Sequence, residues 1–238
     1  MLMRSLVIIP LFVFATVVIG SCRDSSPRAT GRQDEYSPFR DSIRKRAAAR
    51  FSARPDTLLA RADSARTLGA ASASVWVILV GQLQCTACTD VVRDLLPILR
   101  REYVETGRIH LAYINAEAPD TNYNARFAAH AAYCAALGGA FWPMLDSIAA
   151  TRQQWARLPD PQPHFDSLAV RLGADPALQT KCTTRTLMLP LVKWDQERAA
   201  AAGVTILPTI LVGSTALSGD VSASRVRKAI DAALTQKR

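Results

Sequence analysis

Cysteine stands at positions 22, 85, 88, 134 and 182 of this chain, and one pair of these thiols has a spacing that does chemistry. Cys85 and Cys88 are separated only by Thr86 and Ala87. A thiolate is the form of cysteine that attacks a disulfide, and two thiols three residues apart can bridge, so that one attacks and the other resolves. Just beyond them Val91, Val92, Leu95, Leu96, Leu99 and Tyr103 recur at helical spacing, which sets Cys85 at a helix N-terminus. Unpaired N–H groups and the helix dipole favour an anion there. Cysteines so placed titrate at roughly 3.5–7.5 instead of about 8.5. Cys85 is therefore expected as the nucleophile and Cys88, one turn inward, as the resolving thiol. The blander readings are an inert structural disulfide and half of a metal site. A zinc site needs about four ligands, and His110, His130 and His164 show no ligand-like spacing, so no metal is expected. No Walker loop, GxGxxG or HExxH occurs, and no cofactor is expected.

The elements that must position the pair follow from hydrophobic pattern. Residues 75–80 form a continuous apolar, β-branched run, which predicts a buried strand. A helix is expected over about 89–105, kinked at Pro97 and ended by Gly107. A second strand alternates over 109–114. Residues 122–200 contain no strand-like run and suit helices at 124–137, 141–155, 163–172, 176–185 and 189–202. Gly138, Gly139, Pro161 and Gly173 punctuate them. A buried strand over 206–213, a short strand at 216–218 and an amphipathic helix over 222–234 close the chain. A short helix from Pro55-Asp56 to about Thr67 comes before all of this, with Leu68-Gly69 as its stop. Phe127, Tyr133, Phe141 and Trp142 read as core. The fold class is α/β, in the order β-α-β, helical block, β-β-α.

Three segments in this order resemble the DsbA-like branch of the thioredoxin superfamily, over about residues 68–234. They are Val77 to Cys88, then Ala131-Ala132-Tyr133-Cys134-Ala135 with Gly139-Ala140-Phe141-Trp142, then Ala202-Gly203-Val204 with Leu207-Pro208-Thr209. The resemblance implies a thioredoxin-like fold with an inserted helical domain. It also implies a cis Leu207-Pro208 bond lying against the cysteine pair, with the backbone of Leu207 free to pair with a substrate chain. Many relatives carry an aromatic residue two before the first cysteine and proline or histidine between the cysteines. Here Leu83, Thr86 and Ala87 stand instead, and Ala87 cannot stabilise a thiolate as histidine does. Oxidase, reductase and isomerase directions all stay open. Cys134 and Cys182 fall in the helical block. They read either as buried free thiols or, as in some relatives, as a structural disulfide, and the disulfide is the reading adopted.

The N-terminus reads as an address. Residues 6–19 form an apolar run too short for a bilayer, which needs about 20 residues, but suited to a secretory signal. Ile19-Gly20-Ser21-Cys22 resembles the lipobox of bacterial lipoproteins, which implies lipidation of Cys22; an ordinary signal peptide with an incidental cysteine is the alternative. The domain boundaries expected are a signal peptide over 1–21, a polar basic tether over 22–55, a first thioredoxin-like part over 56–119, a helical insert over 120–200 and a second thioredoxin-like part over 201–238. Charge supports the tether. The chain carries 29 Lys+Arg against 20 Asp+Glu, a net +9, but residues 22–55 hold nine basic and four acidic residues, and residues 56–238 net only +3. A basic tether suits an anionic membrane surface, while the body carries no basic and aromatic stripe, so nucleic acid is not an expected partner.

The leading expectation is an exported enzyme at the periplasmic face of the cell envelope, lipid-anchored to a membrane. It exchanges disulfides with exported cysteine-containing proteins and is recycled by a membrane redox partner. A thioredoxin-like thiol protein that carries copper, and a non-catalytic domain with a structural disulfide, are the alternatives.

Overall fold

The computed structural model describes residues 58–116, 123–219 and 221–236. The expected signal peptide (1–21), tether (22–55) and lipidation site Cys22 lie outside them. No helix among the described residues is long and apolar enough to cross a membrane.

The described residues begin with helix α1 (Leu58–Ser64) and a two-residue strand β1 (Thr67–Leu68). Strand β2 (Val75–Gly81) follows, and after a short loop comes helix α2 (residues 86–104), then β3 (Ile109–Asn115). The helical block holds α3 (Tyr123–Ala136), α4 (Phe141–Ala150), α5 (Arg152–Trp155), α6 (Gln162–Arg171), α7 (Pro176–Thr184) and α8 (Leu189–Ala201). Strands β4 (Thr209–Val212) and β5 (Thr215–Ser218) and helix α9 (Ala223–Thr235) complete it. The sheet order is β1-β3-β2-β4-β5, with β2 and β3 parallel and the other pairs antiparallel.

Strand β2 sits centrally because both its faces are apolar. Val75, Val77 and Leu79 join Ile109, Leu111 and Tyr113 of β3 in the main core with α2, α3, α4 and α9. Ile78, Val80 and Ile114 face the opposite side, where Leu211 and the end of α8 (Ala199) cover them. Trp76 stacks on His110 of the neighbouring strand, ring centroids 4.5 Å apart, so His110 is a sheet-packing residue. Phe127, Tyr133, Phe141 and Trp142 are all buried.

The structure departs from these expectations at five places. Leu68 does not end a helix but pairs with Leu111 in the sheet edge; a two-residue strand is too short to show periodicity. The helix before it ends at Ser64, not at about Thr67. Helix α2 starts at Thr86, earlier than the expected 89, and runs through Pro97 with π-helical stretches Val91–Leu95 and Arg100–Val104 on either side, whose wider turns accommodate the missing N–H. The expected single helix over 141–155 divides at Thr151, whose hydroxyl donates to the Ser147 carbonyl, 2.7 Å away, in competition with the backbone ladder. The strand expected over 206–213 is only Thr209–Val212, since Pro208 has no N–H to give a ladder and Gly213 turns at φ 51°.

A buried ionic network fastens α8 to the sheet. Arg66 Nη1 donates to Asp195 Oδ2 at 2.5 Å, to the Tyr113 carbonyl at 3.1 Å and to the Tyr133 hydroxyl at 3.2 Å. Arg66 also pairs with Asp63, and Tyr133 donates to Asp195. Arg198 reaches both carboxylates, Asp63 at 2.9 Å and Asp195 at 3.2 Å. Burial pushes the Asp63 carboxyl up, but the Arg66 and Arg198 guanidiniums outweigh it and hold the group below the usual carboxylate range. Arg66 and Asp195 lie 129 residues apart, and nothing local in the sequence marks them as partners.

Candidate active site

Strand β2 ends at Gly81, and the loop Gln82–Gln84 delivers Cys85 to the N-cap of α2. Cys85 is extended, at φ −67° and ψ 120°, and its sulfur accepts the Cys88 N–H at 3.2 Å. The sulfur thus occupies the place that a serine or aspartate oxygen takes in an ordinary N-cap. Cys85 is half-buried between exposed Thr86 and Ala87 and the loop, whereas Cys88 is 3% exposed. The two sulfurs are joined in a disulfide, with Cα atoms 5.2 Å apart. A thiolate arriving from solvent meets Cys85 first.

Gly81 makes room for this arrangement, and the sequence reading did not single it out. A Cβ at Gly81 would lie 3.3 Å from Cys88 Cβ, 3.8 Å from Cys88 Sγ and 3.9 Å from the ring of Tyr113. The signal available was a glycine ending a buried strand just before the cysteines, which marks close approach of another group. The Tyr113 hydroxyl and both side-chain polar atoms of Asn115, which stands beside Gly81 in the parallel register, are buried without a hydrogen-bond partner. Burial and the nearby Asp195 raise the Tyr113 phenol well above its ordinary value, so it stays protonated.

The β2–β4 register pairs Val80 with Thr209, so Pro208 directly precedes the strand residue that is paired next to Gly81, the glycine against which Cys88 packs. The Leu207-Pro208 bond is cis. Thr209 is fixed by bonds from its hydroxyl to the Ile206 carbonyl (2.6 Å) and with the Ser218 hydroxyl (2.8 Å), and the Pro208 carbonyl accepts the Gly219 N–H at 3.1 Å. Among the described residues no backbone hydrogen bond uses the N–H or carbonyl of Leu207. The side chain beside it, Ile206, is 56% exposed.

The other pair lies elsewhere. Cys134 on α3 and Cys182 on α7 are joined in a disulfide with Cα atoms 5.7 Å apart, at 2% and 0% exposure. His130, one turn before Cys134, places Nε2 3.8 Å from its sulfur and accepts the Met188 N–H at 3.3 Å. Its Nε2 and the two sulfurs lie within 4.8 Å of one another, so these three are the described residues placed to hold a metal. While the sulfurs are bonded to each other they are poor ligands, because metals take thiolates. Burial lowers the His130 imidazole to about 4.

The sequence matches the thioredoxin family model over residues 61–232. No curated protein matches it. Among solved structures the fold is similar to oxidised BdbD from Bacillus subtilis, with 17% identity and a TM-score of 0.61 over 71% of this chain and 92% of that one. It is similar to DsbA from Chlamydia trachomatis, with 17% identity and a TM-score of 0.62 over 72% and 91%. The third is MdbA, a thiol-disulfide oxidoreductase from Corynebacterium diphtheriae, with 16% identity and a TM-score of 0.59 over 70% and 90%. At these identities the likeness is one of fold: a thioredoxin sheet interrupted by helices.

Proposed function

The chain belongs to the thioredoxin family, and from that premise we propose that it is a thiol–disulfide oxidoreductase, exchanging disulfides with cysteine-containing proteins through Cys85 and Cys88. One observation carries the reading. The Cys85–Cys88 disulfide caps a helix with Cys85 reachable and Cys88 covered.

In the oxidising direction a substrate thiolate attacks Cys85 Sγ. The Cys85–Cys88 bond breaks, a mixed disulfide forms, and Cys88 leaves as a thiolate. A second substrate thiolate then attacks the substrate sulfur of the mixed disulfide, closing the substrate bond and releasing Cys85 as a thiolate. In the reducing direction the Cys85 thiolate attacks and Cys88 resolves. The helix N-terminus favours the anion at Cys85 in either direction. The substrate strand pairs with the open backbone of Leu207, beside the exposed Ile206. The finer reading is that the enzyme works outside the cytoplasm, tethered through a lipid on Cys22 and recycled by a membrane redox partner; the sequence of residues 1–22 and the basic tether support it.

The test is turnover of a reduced, unfolded disulfide protein by the purified full chain in a glutathione buffer. Exchange that is lost in Cys85→Ser is expected. Wild-type protein that leaves the substrate at its uncatalysed rate would overturn the assignment.

A further inference from the structure

Through the segment around α5 the helical insert reaches the residue that precedes the cysteine pair. Gln84, the residue before Cys85, is held from both of its ends by the segment around α5. Its side-chain amide donates to the Ala156 carbonyl at 3.1 Å, and its own carbonyl accepts Arg152 Nη1 at 3.2 Å. Arg152 is half-buried, and this carbonyl is its one hydrogen-bond partner among the described residues; no carboxylate there pairs with it. The other charges along α2 and the adjoining α4 are engaged. Arg93 is held by Asp90 at 3.0 Å and by Asp94 at 2.8 Å, and Asp146 on α4 is held by Arg100 at 2.5 Å. Arg157, just beyond α5, is exposed. An uncompensated guanidinium is therefore anchored one peptide unit from the attacking sulfur, on a part of the molecule where residue 87, between the cysteines, supplies no charge.

We propose that Arg152 is the electrostatic positioning residue of the site, a cation lent by the insert that stabilises the Cys85 thiolate whenever the disulfide opens. The inference rests on the exchange function assigned to Cys85. Opening the bond with a dithiol moves two electrons: the dithiol becomes a disulfide, Cys88 keeps a proton as a thiol, and Cys85 is left as the thiolate with one proton released. Favouring that anion favours the reduced protein, so Arg152 makes the couple more oxidising.

The interaction runs through partly wet surroundings. For unit charges about 7 Å apart, an effective dielectric between 80 and 20 corresponds to about 0.4 to 1.7 units of titration midpoint. The experiment is site-resolved alkylation of Cys85 against pH in the reduced full chain, for wild type, Arg152→Gln and Arg152→Lys, at low and high salt. Arg152→Gln is expected to raise the Cys85 midpoint by that amount and make the couple more reducing, by about 30 mV for a tenfold change. Arg152→Lys should recover most of the shift, and 1 M salt should shrink the wild-type advantage, since exposed charges are screened over about 3 Å there. A purely mechanical clamp on Gln84 has neither signature. Equal midpoints in wild type and Arg152→Gln, or no recovery by lysine, overturn this role while wild-type turnover still stands. Absence of wild-type turnover overturns the exchange function itself.

Discussion

The two disulfides contain the same bond in opposite surroundings. Cys85 and Cys88 are three residues apart, at the rim of the sheet, with one sulfur reachable from solvent. Cys134 and Cys182 are 48 residues apart and sealed between α3 and α7. The first closes almost no loop and constrains the unfolded chain little, and on the proposed function its use lies in being opened. The second closes a long loop and is buried from solvent, and on the same proposal its use lies in staying shut. Access and loop length separate a reagent from a staple; the presence of a disulfide does not.

The sharpest way to break this comparison is to remove one sulfur from the reachable pair. Cys85→Ser should abolish exchange altogether. Cys88→Ala should keep the attacking sulfur and accumulate mixed disulfides with substrate on non-reducing gels, because resolution is lost. Equal trapping by both variants would show that the two positions are not distinguished as their burial implies.

A second variant asks whether the staple or the ionic network is the stronger tie for the insert. Asp195→Asn leaves buried Arg66 with only one of its two carboxylate partners charged, which costs up to about 3–5 kcal/mol, read as a lower urea midpoint. The double variant Cys134→Ala with Cys182→Ala should lose about 2–4 kcal/mol, with exchange through Cys85 retained where the protein is folded. A disulfide variant that loses exchange while still folded would mean that the sealed pair also does chemistry.

The smallest effect is one of pH. His130 beside the staple titrates at about 4 in the folded protein and near 6.5 when unfolded. Between these values the unfolded chain takes up a proton that the native protein refuses. Stability from this group is thus complete above pH 6.5 and falls as pH drops toward 4, by at most about 3 kcal/mol. His130→Gln should flatten that part of the stability–pH curve, measured by urea unfolding at pH 7 and pH 4.5.

Local signals carried much of the fold. The apolar run at 75–80, the alternation at 109–114 and the helices expected over 124–137, 163–172, 176–185 and 189–202 lie within one or two residues of the elements they became. Legible too were the cysteines that meet at the N-terminus of α2. What stayed hidden depends on contacts between distant residues. Arg66 meets Asp195 across 129 positions and Arg152 meets the backbone carbonyl of Gln84 across 68, and each charged side chain alone looks like a solvated surface charge. The thread of β1 was too short to show a period, and Gly81 acquires its meaning only once Cys88 is seen against it.

The most direct measurement of the central claim is a redox titration of the full chain in buffers of graded potential, with the oxidation state of each pair read by site-resolved alkylation and mass spectrometry. The account predicts that Cys85–Cys88 opens and recloses reversibly at the less negative potential, while Cys134–Cys182 remains bonded throughout that range. Opening of Cys134–Cys182 first, or of both pairs together, would contradict it.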